Sequence, residues 1–368
     1  VVFFNGGPAN NSHSSYVLLT HRQKWDSEWA KIPFIFVDQR GTGCSDPYPQ
    51  GKSDETLKTL SNYGSRAIIE DSKQIRKKLG IAQWKVFGQS YGAFIVHRYM
   101  TIHPESIVSA HAHAGIITSD PIQRLTGRIR SQNRVVETYL NDFPSDREIL
   151  KTLNKALIPS KCFYNDSKTD SVCGPDALSP FIKLLGFTEQ WLRLHIELNL
   201  LVRNGALDDR RMQEFLNQEV FVPPTPGHST GVALSVIGWT DRNVAPTNMQ
   251  TCPKVYFTLG QEGTPANLSL LNECQPFMVG PYTGKSSTYE RINQMPQDLL
   301  TITDFKASLI AHSSTPFYLY SGAKDTYVPV DDYKEELDAV GALVHYTHFI
   351  GTGHDGFMDE TQVWSDLL

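Results

Sequence analysis

Val86-Phe87-Gly88-Gln89-Ser90-Tyr91-Gly92-Ala93 runs an apolar strand into G-x-S-x-G and then into a helix. A serine hydroxyl is a weak nucleophile, and a sharp strand-to-helix turn lifts its Oγ clear of the sheet edge toward a base. Side chains flanking such a turn must be minimal, and positions 88 and 92 are both glycine. The helix beginning at Tyr91 offers its first backbone N–H to a developing oxyanion. A bare G-x-S-x-G is common by chance. The flanking Trp84–Phe87 and Ala93–Met100 are what make this one a nucleophile-elbow candidate.

Around this stretch, strand and helix alternate over residues 1–117. Val1–Asn5 reads as a strand and Tyr16–Ala30 as a helix. Pro33–Val37 is a continuous apolar run, as expected of a strand buried on both faces. Glu55–Leu79 carries a long helix striped by Ile68, Ile69, Ile75 and Leu79, and Ile107–Ile117 is a further strand. This rhythm predicts a mostly parallel α/β sheet flanked by helices. From 118 to 300 it gives way to helical patterns, Phe187–Val202 and Arg210–Asn217 among them, with a break at Pro223–Gly227. That span reads as a large, mainly helical inserted cap. The α/β rhythm returns at Pro316–Ser321 and Leu343–Ile350, so the core is assigned to 1–117 and 301–368.

The chain of 368 residues is long enough for such a core plus an insertion, and 40% hydrophobic content supplies the apolar side chains to fill it. A net charge of −5 with dispersed Lys and Arg points away from nucleic acid or anionic membrane as a partner. No apolar run reaches membrane-span length. Val1–Phe4 reads as a strand already under way, so the chain looks truncated upstream and the lack of a leader is uninformative. Cys162 with Cys173 and Cys252 with Cys274 would make two local disulfides, leaving Cys44 and implying an oxidising compartment. Unpaired thiols in the cytoplasm are the alternative, so cytoplasmic and periplasmic or secreted locations both stay open. The N-x-S sequons at Asn10, Asn165 and Asn267 are patterns short enough to arise by chance.

A serine elbow needs a base and a group to orient that base. The strand Phe317–Tyr320 ends in Ser321-Gly322-Ala323-Lys324-Asp325, where an acid can reach an imidazole at the same sheet edge. The final strand ends in Gly351-Thr352-Gly353-His354-Asp355-Gly356, which puts His354 on a small-residue loop. Ser90, Asp325 and His354 are therefore the candidate catalytic set. Asp355 is nearer in sequence, but adjacent residues rarely orient one another in this geometry. Of the 12 histidines, His97, His103, His111 and His113 read as packed or surface residues. Asn5-Gly6-Gly7-Pro8 follows the first strand, and paired glycines let backbone N–H groups approach a substrate. Asp38-Gln39-Arg40-Gly41-Thr42-Gly43 should lie beside it, with Asp38 and Arg40 holding the Gly-Gly-Pro loop.

Asn-Gly-Gly-Pro at 5–8, Asp-Gln-Arg-Gly-Thr-Gly at 38–43 and Gly-Gln-Ser-Tyr-Gly at 88–92 together resemble the proline iminopeptidase family. More broadly they are similar to the α/β-hydrolase serine peptidases that include tripeptidyl aminopeptidases. The order Ser90, Asp325, His354 agrees with that superfamily. The resemblance implies an α/β-hydrolase fold, Ser90 as nucleophile, Asp325 and His354 as its partners, and Gly7 and Tyr91 as oxyanion donors. It also implies removal of an N-terminal residue, often proline, from a short peptide, with cap carboxylates binding the free amine. Glu262, Glu273 and Glu290 are candidates for that role by location. The chain departs from the family at Ala9, where glycine is usual, and in lacking the family's leading strands.

Gly351–Gly356 also satisfies G-x-G-x-x-G, but no helix, strand and acid follow it before Leu368, so no dinucleotide cofactor is expected. His111 and His113 share a strand face without a partner set, and no metal is expected either. Two further readings stand beside the peptidase. One is an esterase or amidase on a small molecule, since the cap rather than the core sets the substrate. The other is a catalytically silent hydrolase fold acting as a binding protein. A carboxylate cluster facing Ser90 would favour the peptidase, and an apolar pocket the esterase. Oligomeric state is not legible.

Overall fold

Side chains that alternate between two buried faces build the sheet of this protein. The computed structural model describes residues 1–8, 10–13, 32–117, 132, 134–157, 161–165, 168, 171–219, 231–242, 256–257, 268–269, 291–292, 294–328, 333–356 and 361–368. Among them, β1 (Val2–Phe4), β2 (Ile35–Phe36), β3 (Trp84–Gln89), β4 (Ile107–His113), β5 (Phe317–Gly322) and β6 (His345–Phe349) form one sheet in the order β6-β5-β4-β3-β1-β2. Every pairing within it is parallel.

Period-2 alternation sends Val2 and Phe4 of β1, Trp84 and Val86 of β3, and Phe317 and Leu319 of β5 into one apolar cluster. The intervening Phe3, Phe87 and Tyr320 enter a second cluster on the opposite face. There Phe87 meets Phe3 edge-on at 5.3 Å and Trp364 at 6.4 Å. Burying side chains of this size stabilises by roughly 1.5–3 kcal/mol each.

The expected single helix over Glu55–Leu79 is two: α1 (Asp54–Leu60) and α2 (Ser65–Lys78). A 3₁₀ turn at Ser61–Tyr63 and an extended Gly64 separate them. Helix α3 (Tyr91–Ile102) follows β3 and is buried from Tyr91 through Met100, which suits its mostly apolar sequence, with His97 and Arg98 paired to Glu336 and Asp298. β4 ends at His113 rather than Ile117, because Ala114 turns the chain at φ +54°. β2, expected to be buried on both faces, is half-buried and lies at the edge of the described sheet.

Between β4 and β5 come α4 (Asp146–Leu157), α5 (Ser179–Leu185), α6 (Trp191–Leu201), α7 (Asp209–Glu219) and α8 (Gly231–Arg242). The first four share their own apolar cluster, with Leu150, Leu153 and Leu157 of α4 facing Leu194, Leu198 and Leu201 of α6 at helical spacing. A disulfide joins Cys162 to Cys173 across a short antiparallel pair, and Cys44 is free and exposed. Helix α8 behaves differently: its Ala233, Val236 and Ile237 pack into the main core, although they lie within the 118–300 stretch assigned to the cap. The chain then runs through α9 (Ile302–Ala311), α10 (Tyr333–Val340) and α11 (Thr361–Leu367). No helix among the described residues is long and apolar enough to cross a membrane. The expected helix at Tyr16–Ala30, the Pro223–Gly227 break, Ala9, Cys252 and Cys274 lie outside the described residues.

Trp364 anchors α11 against Phe34 and Phe87 while Leu192 on α6 is 62% exposed. Trp364→Ala is expected to cost about 3–5 kcal/mol, and Leu192→Ala less than about 0.5 kcal/mol. Urea denaturation of the two variants beside the wild type checks the contrast.

Candidate active site

The strand order brings the sequence motifs together. The chain leaves β1 toward β2 on one side and returns as β3 on the other, so the loops after β1 and β3 leave the same sheet edge at a topological switch point. Gly6-Gly7 follows β1, and Ser90 follows β3. A Cβ placed on Gly6 would come within 2.7 Å of Gln89 Oε1 and 3.2 Å of Ser90 Cβ. Gly7 itself holds φ +113°.

Ser90 sits at φ +59°, ψ −119°, a left-handed conformation rarely taken by a residue with a side chain. Such a residue stores about 1–3 kcal/mol and persists only where its surroundings over-determine it. Here they do. A Cβ on Gly88 would lie 2.1 Å from the Gly92 carbonyl oxygen, and one on Gly92 would lie 2.0 Å from that of Phe4. Both glycines of G-x-S-x-G are demanded by backbone filling their side-chain space. The Ser90 N–H donates to the His113 carbonyl at 2.9 Å, and its own carbonyl accepts from Ala93 and Phe94. Tyr91 N–H lies in the first turn of α3, where N–H groups lack intrahelical partners.

His354 Nδ1 donates to Asp325 Oδ2 at 2.8 Å, with both side chains buried. The other carboxylate oxygen, Oδ1, accepts the N–H groups of Tyr327 at 2.7 Å and Val328 at 2.9 Å. This division fixes the carboxylate plane and leaves one oxygen for the imidazole. With its proton on Nδ1, the ring presents Nε2 as an acceptor. His354 is tied to the elbow through Gln89, whose Nε2 donates to the His354 carbonyl at 3.2 Å and lies 3.5 Å from Asp355 Oδ1. Asp355 does not take the Nδ1 position.

The other histidines fall where packing explains them. His97 meets Glu336 at 2.7 Å, and His103 meets Glu70 at 2.6 Å. His111 bonds Ser109 and Tyr320, and burial pushes its pKa down to about 3. His113 is also buried, and burial together with the nearby His354 holds it well below its ordinary value, so it stays neutral.

The loop after β2 corrects one expectation. Arg40 does not hold the Gly-Gly-Pro loop; its guanidinium forks onto Asp71 of α2 at 2.5 and 2.8 Å and donates to the Asn62 carbonyl. Asp38 does reach the segment beyond Pro8, accepting from Ser12 N and Oγ and from Cys44 N. Burial pushes the Asp38 carboxyl up, but these donors outweigh it and hold the group below its ordinary value. The bond to the Asn5 backbone comes from Gln39, whose Nε2 reaches the Asn5 carbonyl at 3.3 Å. Its place inside Asp-Gln-Arg-Gly-Thr-Gly was the available signal.

Asp241 of α8 carried no sequence signal. Its Oδ2 accepts from the Tyr91 hydroxyl and from Ser65 N–H, each at 2.6 Å. Burial, with Asp241 adding, pushes the Tyr91 phenol well above its ordinary pKa, so it remains a donor. Glu262, Glu273 and Glu290 lie outside the described residues. Among the described residues no cluster of His, Cys, Asp and Glu is arranged to hold a metal ion.

A family model for the alpha/beta hydrolase fold matches residues 1–148. A proline iminopeptidase of Arabidopsis thaliana is 30% identical over 107 residues, 29% of this chain and 24% of that protein. Another, from Xylella fastidiosa, is 30% identical over 105 residues, 28% of each chain. The matched segment thus spans about a quarter of these relatives' length. Among solved structures, an acetylester hydrolase from Corynebacterium glutamicum aligns over 100% of this chain and 84% of its own, at 14% identity and a TM-score of 0.44.

Removing Asp241 would leave two buried donors without their acceptor. Asp241→Ala is expected to cost about 3 kcal/mol and Tyr91→Phe about 1 kcal/mol. The double variant should fall short of their sum, because the two changes share one hydrogen bond. A double-mutant cycle by urea denaturation measures this.

Proposed function

We propose that this chain, which has the α/β-hydrolase fold and resembles the proline iminopeptidases, is a serine hydrolase. Its substrate class is then a peptide with a free N-terminal residue. The observation that carries the reading is the 2.8 Å bond between His354 Nδ1 and Asp325 Oδ2, on loops tied through Gln89 to the strained turn at Ser90.

In this mechanism Ser90 Oγ attacks the scissile carbonyl carbon while His354 Nε2 takes the hydroxyl proton. Negative charge gathers on the carbonyl oxygen, and the backbone N–H groups of Gly7 and Tyr91 are the donors assigned to it. A donor of this kind contributes about 10²–10³ in rate. His354 then returns the proton to the leaving amine as the C–N bond breaks, leaving an acyl group on Ser90 Oγ. Water, deprotonated by the same Nε2, releases the acid and restores Ser90. Asp325 keeps its charge throughout and stabilises the imidazolium.

An esterase or amidase acting on a small molecule is the second reading. Two aromatic rings, Phe187 and Tyr327, lie against His354, and apolar walls suit an uncharged acyl group.

Hydrolysis of Pro-, Ala- and Leu-arylamides, beside N-blocked versions and a short-chain aryl ester, tests the proposal. Turnover of the free-amine substrates, lost on blocking, is expected. Ser90→Ala should lower kcat by on the order of 10⁶. Ester turnover alone would move the assignment to an esterase, and silence on all substrates would overturn it. Asp325→Asn should cost on the order of 10⁴ in kcat with the fold retained. An amide cannot accept two backbone N–H groups on one side and the imidazole N–H on the other, so the ring loses its tautomer.

A further inference from the structure

The main chain of His354 is gripped from two directions. Its carbonyl accepts from Gln89, one residue before Ser90, at 3.2 Å. Its N–H donates at 2.7 Å to the carbonyl of Gly186, in the turn between α5 and α6 of the inserted helices. The approach is close enough that a Cβ on Gly353 would come within 2.2 Å of that same Gly186 oxygen. The next residue, Phe187, sets its ring edge-on to the His354 imidazole, with centroids 6.0 Å apart and planes at 85°. Tyr327 lies against the same imidazole at 4.8 Å and against Phe187 at 5.5 Å. Tyr327 is also the residue whose N–H fixes Asp325 Oδ1.

The turn itself is braced. Trp191 Nε1 donates to the Leu185 carbonyl at 2.9 Å, and the Lys324 ammonium stands 4.5 Å from the Trp191 ring centroid. Lys324 immediately precedes Asp325. Gln132, also from the inserted stretch, donates to the Thr326 carbonyl at 3.3 Å. The inserted helices therefore touch the loops of both the acid and the base.

We propose that Gly186 and Phe187 are positioning residues for His354: the Gly186 carbonyl holds its main chain, and the Phe187 ring holds its imidazole toward Asp325. This rests on the reading of His354 as the general base. The physical need is plain. An imidazole turns about two side-chain torsions, and a hydrogen bond at Nδ1 does not by itself fix the rotation of the ring about that bond. Rings on its edge and face remove that swing, and displacement of a reacting group by about 1 Å costs as much as 10²-fold in rate. The insertion then acts on the chemistry as well as on the substrate.

The test is the rate of Ser90 labelling by a small fluorophosphonate, which reads nucleophile activation with little demand on substrate fit. It is paired with the downfield proton resonance of His354 Nδ1–H in the full-length protein, assigned by its loss in His354→Gln. In Phe187→Ala the labelling rate should fall roughly 10- to 100-fold and the resonance should broaden or vanish. Phe187→Leu, which keeps much of the apolar contact, should recover most of both. If Phe187→Ala is poorly folded by thermal melting, Phe187→Leu is compared directly with the wild type, and a several-fold drop is expected. Labelling at the wild-type rate with an intact resonance, with only KM for amide substrates raised, would overturn the proposal and make Phe187 a substrate wall. A wild-type protein that is not labelled, or labelled equally in Ser90→Ala, would refute the hydrolase reading instead. The resonance would still decide on Phe187: its persistence in Phe187→Ala refutes the positioning role, and its loss upholds it.

Discussion

Everything near the elbow follows from one constraint: Ser90 must hold a left-handed backbone while three carbonyl-bearing segments crowd around it. Phe4 and Gly92 place their oxygens where side chains of residues 92 and 88 would stand. His113 accepts the Ser90 N–H, and the first turn of α3 uses its carbonyl. A residue strained by about 1–3 kcal/mol is thus left with no relaxed alternative, since any movement would strand buried backbone groups. The turn is rigid because β1, β3, β4 and α3 all close on it. The candidate nucleophile is built by the middle of the sheet rather than by a loop.

Buried polar contacts extend that rigidity into the segments that leave the sheet. Glu336 of α10 accepts from Ile117 N–H with one oxygen and meets His97 of α3 with the other, pinning the chain where the long insertion begins. Asp241 of α8 ties the Tyr91 side chain to the start of α2. In a low-dielectric interior, an unpaired carboxylate or N–H is costly, so these joints tolerate little sliding. The insertion is consequently heterogeneous. Helices α4 to α7 carry a cluster of their own, whereas α8 is continuous with the main core.

How far the sequence could be read depended on whether a feature was local. Gly88 and Gly92, the apolar run of β3 and the strands β1 and β5 were legible, because side-chain pattern and steric demand act within a few residues. The break at Gly64 was not. Nothing in Ser61–Tyr63 forbids a helix, and the extended Gly64 leaves Ser65 N–H to Asp241, 176 positions away. Arg40 was misplaced for a similar reason. Its sequence neighbours suggested the adjacent loop, but Asp71 on α2 offers a two-pronged carboxylate within reach. Gln39, between the two residues singled out, joins the two loops at the Asn5 carbonyl, and Asp38 joins them at Ser12.

By itself the sequence determined the parallel α/β core, the elbow at Ser90 and the candidacy of Asp325 and His354, since each is written in local pattern and chain order. Only the tertiary structure decided which oxygen of Asp325 faces the imidazole, that Gln89 and Gly186 hold the carbonyl and the N–H of His354, and that α8 packs with the core. The reason is physical. Local preferences act through the few residues that share a turn or a strand. Hydrogen bonds between Gly186 and His354, or Tyr91 and Asp241, exist only after distant segments have excluded water from between them.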